Sequence, residues 1–512
     1  MRNRVAAAAC ATLLAGPTVL AFFSGGYFDE PRAWAGLIAW LLVGIGALIT
    51  PRPLAIGRGG VIALAGLAGL AAWTMASITW APVAGSAYHA GQLVVLYLGA
   101  LLASAILLRP IAARRAVEPA LALGALIVVG YGISERWLPG LLQFSRSASA
   151  QGRLEQPLTY WNAMGELAAI GFVLCVRLAG DASRQLGLRV LALAASVPLA
   201  QGLYLSVSRG ALFACAAGLL ALFVLAPSRE GLRTLVLAVL AGGLAVAAAA
   251  PFAGVTSLSG TLATREREGA ICLALVVLIT ALAAAVQCRM IAGERPSPLR
   301  LPRAAPWLAT AAIAAGLVLA IVAGAKERSN QALTPGATRL TTLQSNRYAY
   351  WSVATRAFSD EPIRGVGAGG WSVYWLRYRH VSEFAQDAHS LELQTLAELG
   401  VVGELLLITF LGGVALAARD ARRLDPMLAA GPIAGCLVWL AHSPLDWDWQ
   451  MPAVTLVAMG LAGALLAARP EADPQGRQPD HVRRTREGDT VSEHEQVAAR
   501  AVSSRGLMPG PR

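Results

Sequence analysis

The chain has 512 residues, of which 56% are hydrophobic and 14% charged, with a mean hydropathy of +0.57. That balance excludes a soluble domain of this size. The formal net charge of +12 would suggest nucleic acid in a soluble protein, but here the arginines sit in short loops between apolar runs, where they set orientation across a bilayer.

Arg2 and Arg4 precede the apolar run Val5–Phe23, which has the charge pattern of a signal peptide but no small-x-small cleavage site after it, so it reads as an uncleaved first span. Further runs follow near 33–49, 60–80, 89–108, 116–134, 159–179, 188–206, 210–226, 234–253, 269–286, 307–325, 400–417, 427–441 and 452–467. A helix needs about 20 residues to cross ~30 Å of hydrocarbon. The predicted fold is an all-α polytopic integral membrane protein with about 12–14 transmembrane helices and a large extracytoplasmic loop holding short helices.

With a cytoplasmic N-terminus the inner loops carry Arg52 and Arg58, then Arg109, Arg114 and Arg115, Arg184 and Arg189, Arg229 and Arg233, and the later groups around Arg289 and Arg422. The positive-inside rule is then met throughout. Segments 135–158 and 326–399 and the turns 207–209 and 442–451 face outward. The transmembrane domain covers 1–467, and 468–512 is a Pro-, Arg- and Glu-rich stretch expected to be a disordered cytoplasmic tail. The six cysteines lie in or beside apolar runs without paired spacing and read as buried free thiols; no metal set is recognisable and no cofactor is expected.

The longest polar interval is the loop 326–399. Ser345 or Asn346 caps a helix running to about Phe358, since Trp351, Ala354 and Phe358 recur at helical spacing before Pro362. Arg347 falls in its first turn, where the helix dipole disfavours a cation, and an anionic ligand would remove the conflict. Gly365, Gly367 and Gly370 match a dinucleotide fingerprint, but that motif needs a strand before it and a helix after it, and an aromatic run follows. A tight turn against the membrane surface is predicted, with Tyr374, Trp375 and Tyr378 at the interface.

A second loop helix is predicted from Ser382 or Asp387, carrying His389, Leu393, Leu396 and Leu399 along one side before Gly400, with Glu398 as a helix-end charge. An isolated histidine on an apolar face is commonly structural. On the outer face beside Asp387, a carboxylate partner would instead orient the ring and make it a better base.

His389-Ser390, nine residues, then Gly400-Val401-Val402-Gly403 resembles the H[NSQ]x9GxxG pattern of the bacterial O-antigen ligase family, which is related to O-antigen polymerases and some protein O-oligosaccharyltransferases. Arg347 to Trp351 with Pro362 to Gly367, Ser206-Val207-Ser208-Arg209-Gly210, and Tyr160-Trp161-Asn162 resemble further elements of that family. The resemblance implies an enzyme of the cytoplasmic membrane with an outward-facing site. It would move a glycan from an undecaprenyl-diphosphate carrier to an acceptor hydroxyl, without nucleotide sugar or essential metal.

Diphosphate calls for cationic bidentate donors near the headgroup plane, and Arg209 and Arg347 supply them. Arg209, almost without a loop around it, is either a snorkelling side chain or a cavity charge. On this reading His389 is the general base and the arginines neutralise the departing diphosphate. The turn His442–Trp449 is a second polar site, in which the two indoles either anchor the interface or stack on sugar while Asp446 or Asp448 bonds hydroxyls. Tyr160, Asn162 and Asp387 complete the candidates.

The acceptor stays open among glycan, lipid and protein. A lipid-glycan transporter is the alternative from another class; it would show ionisable residues near span midpoints or paired broken helices.

Overall fold

The computed structural model describes residues 1–53, 55–293, 299–326 and 346–468. The described residues form seventeen α-helices and no strand: α1 (Arg2–Ala21), α2 (Asp29–Ile49), α3 (Arg58–Ala76), α4 (Ala84–Leu107), α5 (Ile111–Trp137), α6 (Trp161–Gly180), α7 (Leu186–Leu205), α8 (Arg209–Leu225), α9 (Arg229–Ala249), α10 (Ala253–Thr256), α11 (Leu262–Ala292), α12 (Ala305–Lys326), α13 (Arg347–Asp360), α14 (Gly370–Tyr378), α15 (Leu391–Leu424), α16 (Pro426–His442) and α17 (Pro452–Leu466). Among them, eleven are long and apolar enough to cross a membrane, and α8, α12 and α17 are shorter apolar helices. Every apolar run marked in the sequence is one of these fourteen.

In a bilayer the backbone must satisfy its own hydrogen bonds, so each apolar run becomes a helix. Burial then sorts them. The most apolar window of α6 is 94% buried, placing it at the centre against α5, α7, α8, α9 and α16. By contrast α2 and α11 leave Leu37, Leu41, Leu278 and Leu282 exposed, a surface that only lipid would cover.

Small residues let α3 and α15 touch backbone to backbone. A Cβ on Gly66 would lie 2.4 Å from Phe410 N, and one on Gly413 would lie 2.2 Å from Ala63 N. This contact matters because α15 carries His389 just before its first turn.

The loops assigned to the inner side bond to one another. Arg109 donates to Arg52 O at 2.8 Å, Arg115 to Ser183 Oγ at 3.3 Å, and Arg184 to Arg115 O at 2.8 Å. Some of these arginines do more than set orientation, since buried Glu118 receives Arg184 at 2.8 Å and buried Asp181 receives Arg177 at 3.0 Å. The expected tail beyond Ala468 and residues 327–345 of the long loop lie outside the described residues. Cys175, Cys215 and Cys272 are buried as expected, whereas Cys10 and Cys436 are half-buried and Cys288, on α11, is exposed.

The loop builds a small core of its own. Trp371 and Trp375 are fully buried and stack at 5.6 Å, with Tyr350, Val353, Ala357 and Val366 packed around them. Trp375 is therefore a core residue of the loop and not the interfacial anchor expected. Apolar periodicity on a nine-residue helix, α14, made the indoles self-sufficient.

Candidate active site

The glycines join the loop to α15. Gly400 breaks α15 at φ 64, ψ −165, a conformation open essentially to glycine alone. Val401 N donates to Pro362 O at 2.9 Å, Val366 N to Ala397 O at 3.0 Å and Gly367 N to Glu398 O at 2.8 Å. A Cβ on Gly365 would fall 2.2 Å from Glu398 C, and one on Gly400 2.3 Å from Ile363 O. The glycine-rich run is thus a backbone interlock. A helix does follow it, contrary to expectation, but no strand precedes it, so the dinucleotide reading fails on the other half of its requirement.

Glu398 is no helix-end charge: it is buried, and its Oε1 accepts from Trp371 N at 3.3 Å. Gly400→Ala should cost at least about 1–3 kcal/mol in backbone strain, seen as a lowered melting temperature in detergent. An unchanged melting temperature would show that the interlock does not hold the loop.

α15 opens at Leu391, later than the predicted Ser382 or Asp387, because the Ser390 side chain caps it by accepting from Leu393 N. His389 lies just outside that cap at φ 54. Its Nδ1 is 2.9 Å from Asp387 O. A carbonyl oxygen only accepts, so Nδ1 carries a hydrogen, and in the neutral ring the lone pair is on Nε2.

Tyr350 stacks on the imidazole at 4.8 Å and Trp447 meets it edge-on at 6.2 Å. The expected orienting carboxylate is replaced by a main-chain carbonyl. The Asp387 side chain turns instead to Gln394 Nε2, at 3.0 Å. Burial pushes the Asp387 carboxyl above its ordinary range, against the opposing pull of Gln394 and His389.

Asp446, fully buried, is the hub that joins distant segments. Its Oδ2 accepts from Arg347 Nη2 at 2.6 Å and from Asn162 Nδ2 at 2.5 Å, and its Oδ1 accepts from Tyr160 Oη at 2.5 Å and from Trp447 N at 2.9 Å. Burial alone would raise the Asp446 carboxyl, but Arg347, His389 and His442 outweigh it and hold it below the usual range. The unfavourable charge of Arg347 at the start of α13 is therefore already answered within the protein. Ser443 Oγ, donating to Glu392 Oε1 at 2.9 Å, ties the same turn to the head of α15.

Behind this hub lies a group the sequence did not reveal. His442 Nδ1 hydrogen-bonds Asp448 and lies 3.5 Å from Glu166 Oε2, all three side chains being essentially fully buried. Their ligating atoms lie within 4.8 Å of one another, the spacing a metal ion would need, although no metal set was recognisable in the sequence. Residues at 166, 442 and 448 share no motif; the readable signal was an acidic residue inside the apolar run 159–179.

Asp448 therefore faces inward and Trp449 is core, edge-on to Tyr97 at 4.8 Å, so neither is placed to meet sugar as the turn's sequence suggested. The step before α8 packs on this group. A Cβ on Gly210 would lie 2.9 Å from His442 Nε2, which sets Arg209 at the same end of the bundle, in the first turn of α8, capped by Ser208.

An all-α polytopic bundle with a histidine-bearing site of paired arginine and carboxylate groups at one end defines a multi-pass membrane protein. Residues 252–408 match the family model described as O-antigen ligase, an interval containing α13, α14, the glycine interlock and His389. Over that interval the chain is similar to the O-antigen ligase family. Tyr160, Asn162, Arg209 and Asp446 lie outside the matched interval. A search of the curated proteins finds no match to the chain.

Proposed function

We propose that this protein transfers a glycan from an undecaprenyl-diphosphate carrier to an acceptor hydroxyl on the outer side of the cytoplasmic membrane. One observation carries the reading: the Nδ1 hydrogen of His389 is committed to Asp387 O, so Nε2 is a base, and the Arg347–Asp446 pair belongs to the same aromatic-lined end of the bundle.

His389 Nε2 takes the acceptor proton as that oxygen bonds the anomeric carbon. The bond from that carbon to the diphosphate oxygen breaks, and the electron pair leaves with the diphosphate. Arg347 and Arg209 neutralise the departing charge. Displacement in one step inverts the anomeric centre. Glu166 lies only about 8 Å along α6 from its start at Trp161, at the same end as His389, so it extends this site and does not mark a midpoint translocation path.

Transfer in proteoliposomes from extracted lipid-linked glycan tests the reading; donor left intact by the wild-type protein would overturn it. Orientation has its own test. With Cys288 replaced, Arg377→Cys in α14 should react with a membrane-impermeant maleimide on spheroplasts, and Arg423→Cys at the end of α15 only after lysis. The reverse pattern would place the site on the inner side.

A further inference from the structure

A cavity of about 730 Å³ lies between α1 and α2, with α4, α5 and α17 behind it. Two glycines help to make the space. A Cβ on Gly16 would meet nothing within 4 Å, and one on Gly460 only Leu121 Cδ1 at 3.8 Å, so neither position is filled by a neighbouring side chain. Close-packed interiors do not contain open apolar volumes of this size.

Rim and floor differ in exposure. Val19, Trp34 and Ile38 on the rim are exposed, whereas Leu14, Ala39 and Ala100 beneath them are buried, so the cavity is open on its α1–α2 side. The most apolar windows of those two helices are only 28% and 22% buried in protein, and hydrocarbon is what their free faces require. Along α2 the cavity runs from Glu30 to Leu42, about 18 Å of helix. That is the depth of one leaflet of a ~30 Å hydrocarbon core together with its headgroup level. Its mouth is at the His389 end, since Tyr27, three residues before Glu30, donates to Gln386 at 2.9 Å.

The charge at the mouth selects the headgroup. Glu30 is exposed and is the sole ionisable residue lining the cavity, with no lysine or arginine in the wall. Asp29 beside it is held by Arg32 and by His89 at 3.3 Å, while no cation among the described residues pairs with Glu30. A diphosphate or another anionic headgroup would meet a bare carboxylate there. A primary ammonium would pair with it.

We propose that this cavity binds one phosphatidylethanolamine molecule of the bilayer, with an acyl chain packed over Gly16 and Gly460 and the ammonium on Glu30. The lipid fastens α1 and α2 to the bundle and is not consumed, so the proposal stands apart from the transfer reading. Native mass spectrometry of the full chain reads the occupant. The protein is taken from nanodiscs holding equal phosphatidylethanolamine and phosphatidylglycerol with added undecaprenyl phosphate, and loosely held lipid is stripped by detergent exchange.

One phosphatidylethanolamine should be retained over phosphatidylglycerol by about fivefold, the upper end for one exposed ion pair. Gly460→Phe and Gly16→Phe, which fill the cavity from α17 and from α1, should each lose it, and Glu30→Lys should reverse the headgroup preference. Melting temperature confirms which variants are folded, and the exposed position of Glu30→Lys keeps the test decisive where a filled variant does not fold. Retention without headgroup preference, undecaprenyl phosphate retained in place of phospholipid, an unchanged preference in Glu30→Lys, or unchanged retention in a folded filled variant would each overturn the proposal.

Discussion

His389→Ala should lower glycan transfer about 10²–10⁴-fold, the range that general-base removal commands, while leaving the protein folded and the lipid-linked donor bound. The imidazole bonds a main-chain carbonyl and packs between Tyr350 and Trp447. No charged partner is orphaned when it is removed, so the loss falls on the proton transfer. Tyr350→Phe is the matched control. It deletes the hydroxyl that donates to Glu383 at 2.7 Å but keeps the ring stacked on His389, so transfer should stay within a few-fold of wild type. Single-turnover rates with donor saturating separate the two. Wild-type transfer by His389→Ala would remove this mechanism and leave the family resemblance untouched.

The helices were legible because the bilayer imposes one rule on every segment: each apolar run between Val5 and Ala467 had to close its own hydrogen bonds and did so as a helix. His389 was legible through its spacing to Gly400 and Gly403, and the structure gives that spacing a cause. The helix from Leu391 must run to the Gly400 break, where the Pro362–Gly367 segment docks. What stayed hidden were pairings across long separations. Asp446 could be marked as polar, but nothing in the sequence linked it to Arg347, Tyr160 and Asn162. Trp375 and Trp449 looked interfacial because an indole's partner, in the loop core or on Tyr97, is a tertiary fact. Asp387 was chosen for its carboxylate, whereas its main-chain oxygen holds the ring.

Arg347→Ala should damage both stability and transfer, and the second variant Asp446→Asn separates the two effects. The pair joins a fully buried carboxylate to a guanidinium that is 22% exposed. Removing one partner of a buried pair costs about 3–5 kcal/mol, and the partial exposure here points to the lower end. Asparagine at 446 no longer needs a cation, so Arg347→Ala combined with Asp446→Asn should recover most of the lost melting temperature.

Transfer should not recover with it, because the charge proposed to meet the diphosphate is still missing. Arg209→Ala should lower transfer alone by roughly 10–100-fold, as expected for one charge-assisted contact of about 1.5–3 kcal/mol, with lysine rescuing only in part because it lacks the bidentate fork.

The pH dependence follows from the same hub. The folded Asp446 carboxyl is held below its ordinary value, so its contribution to stability is complete above about pH 4 and is lost as pH falls through the folded value. Melting curves from pH 7 down to pH 3 should show that acid step in wild type and a smaller one in Asp446→Asn. Transfer restored together with stability in the double variant would make Arg347 a structural partner of Asp446 and leave Arg209 as the sole proposed diphosphate contact.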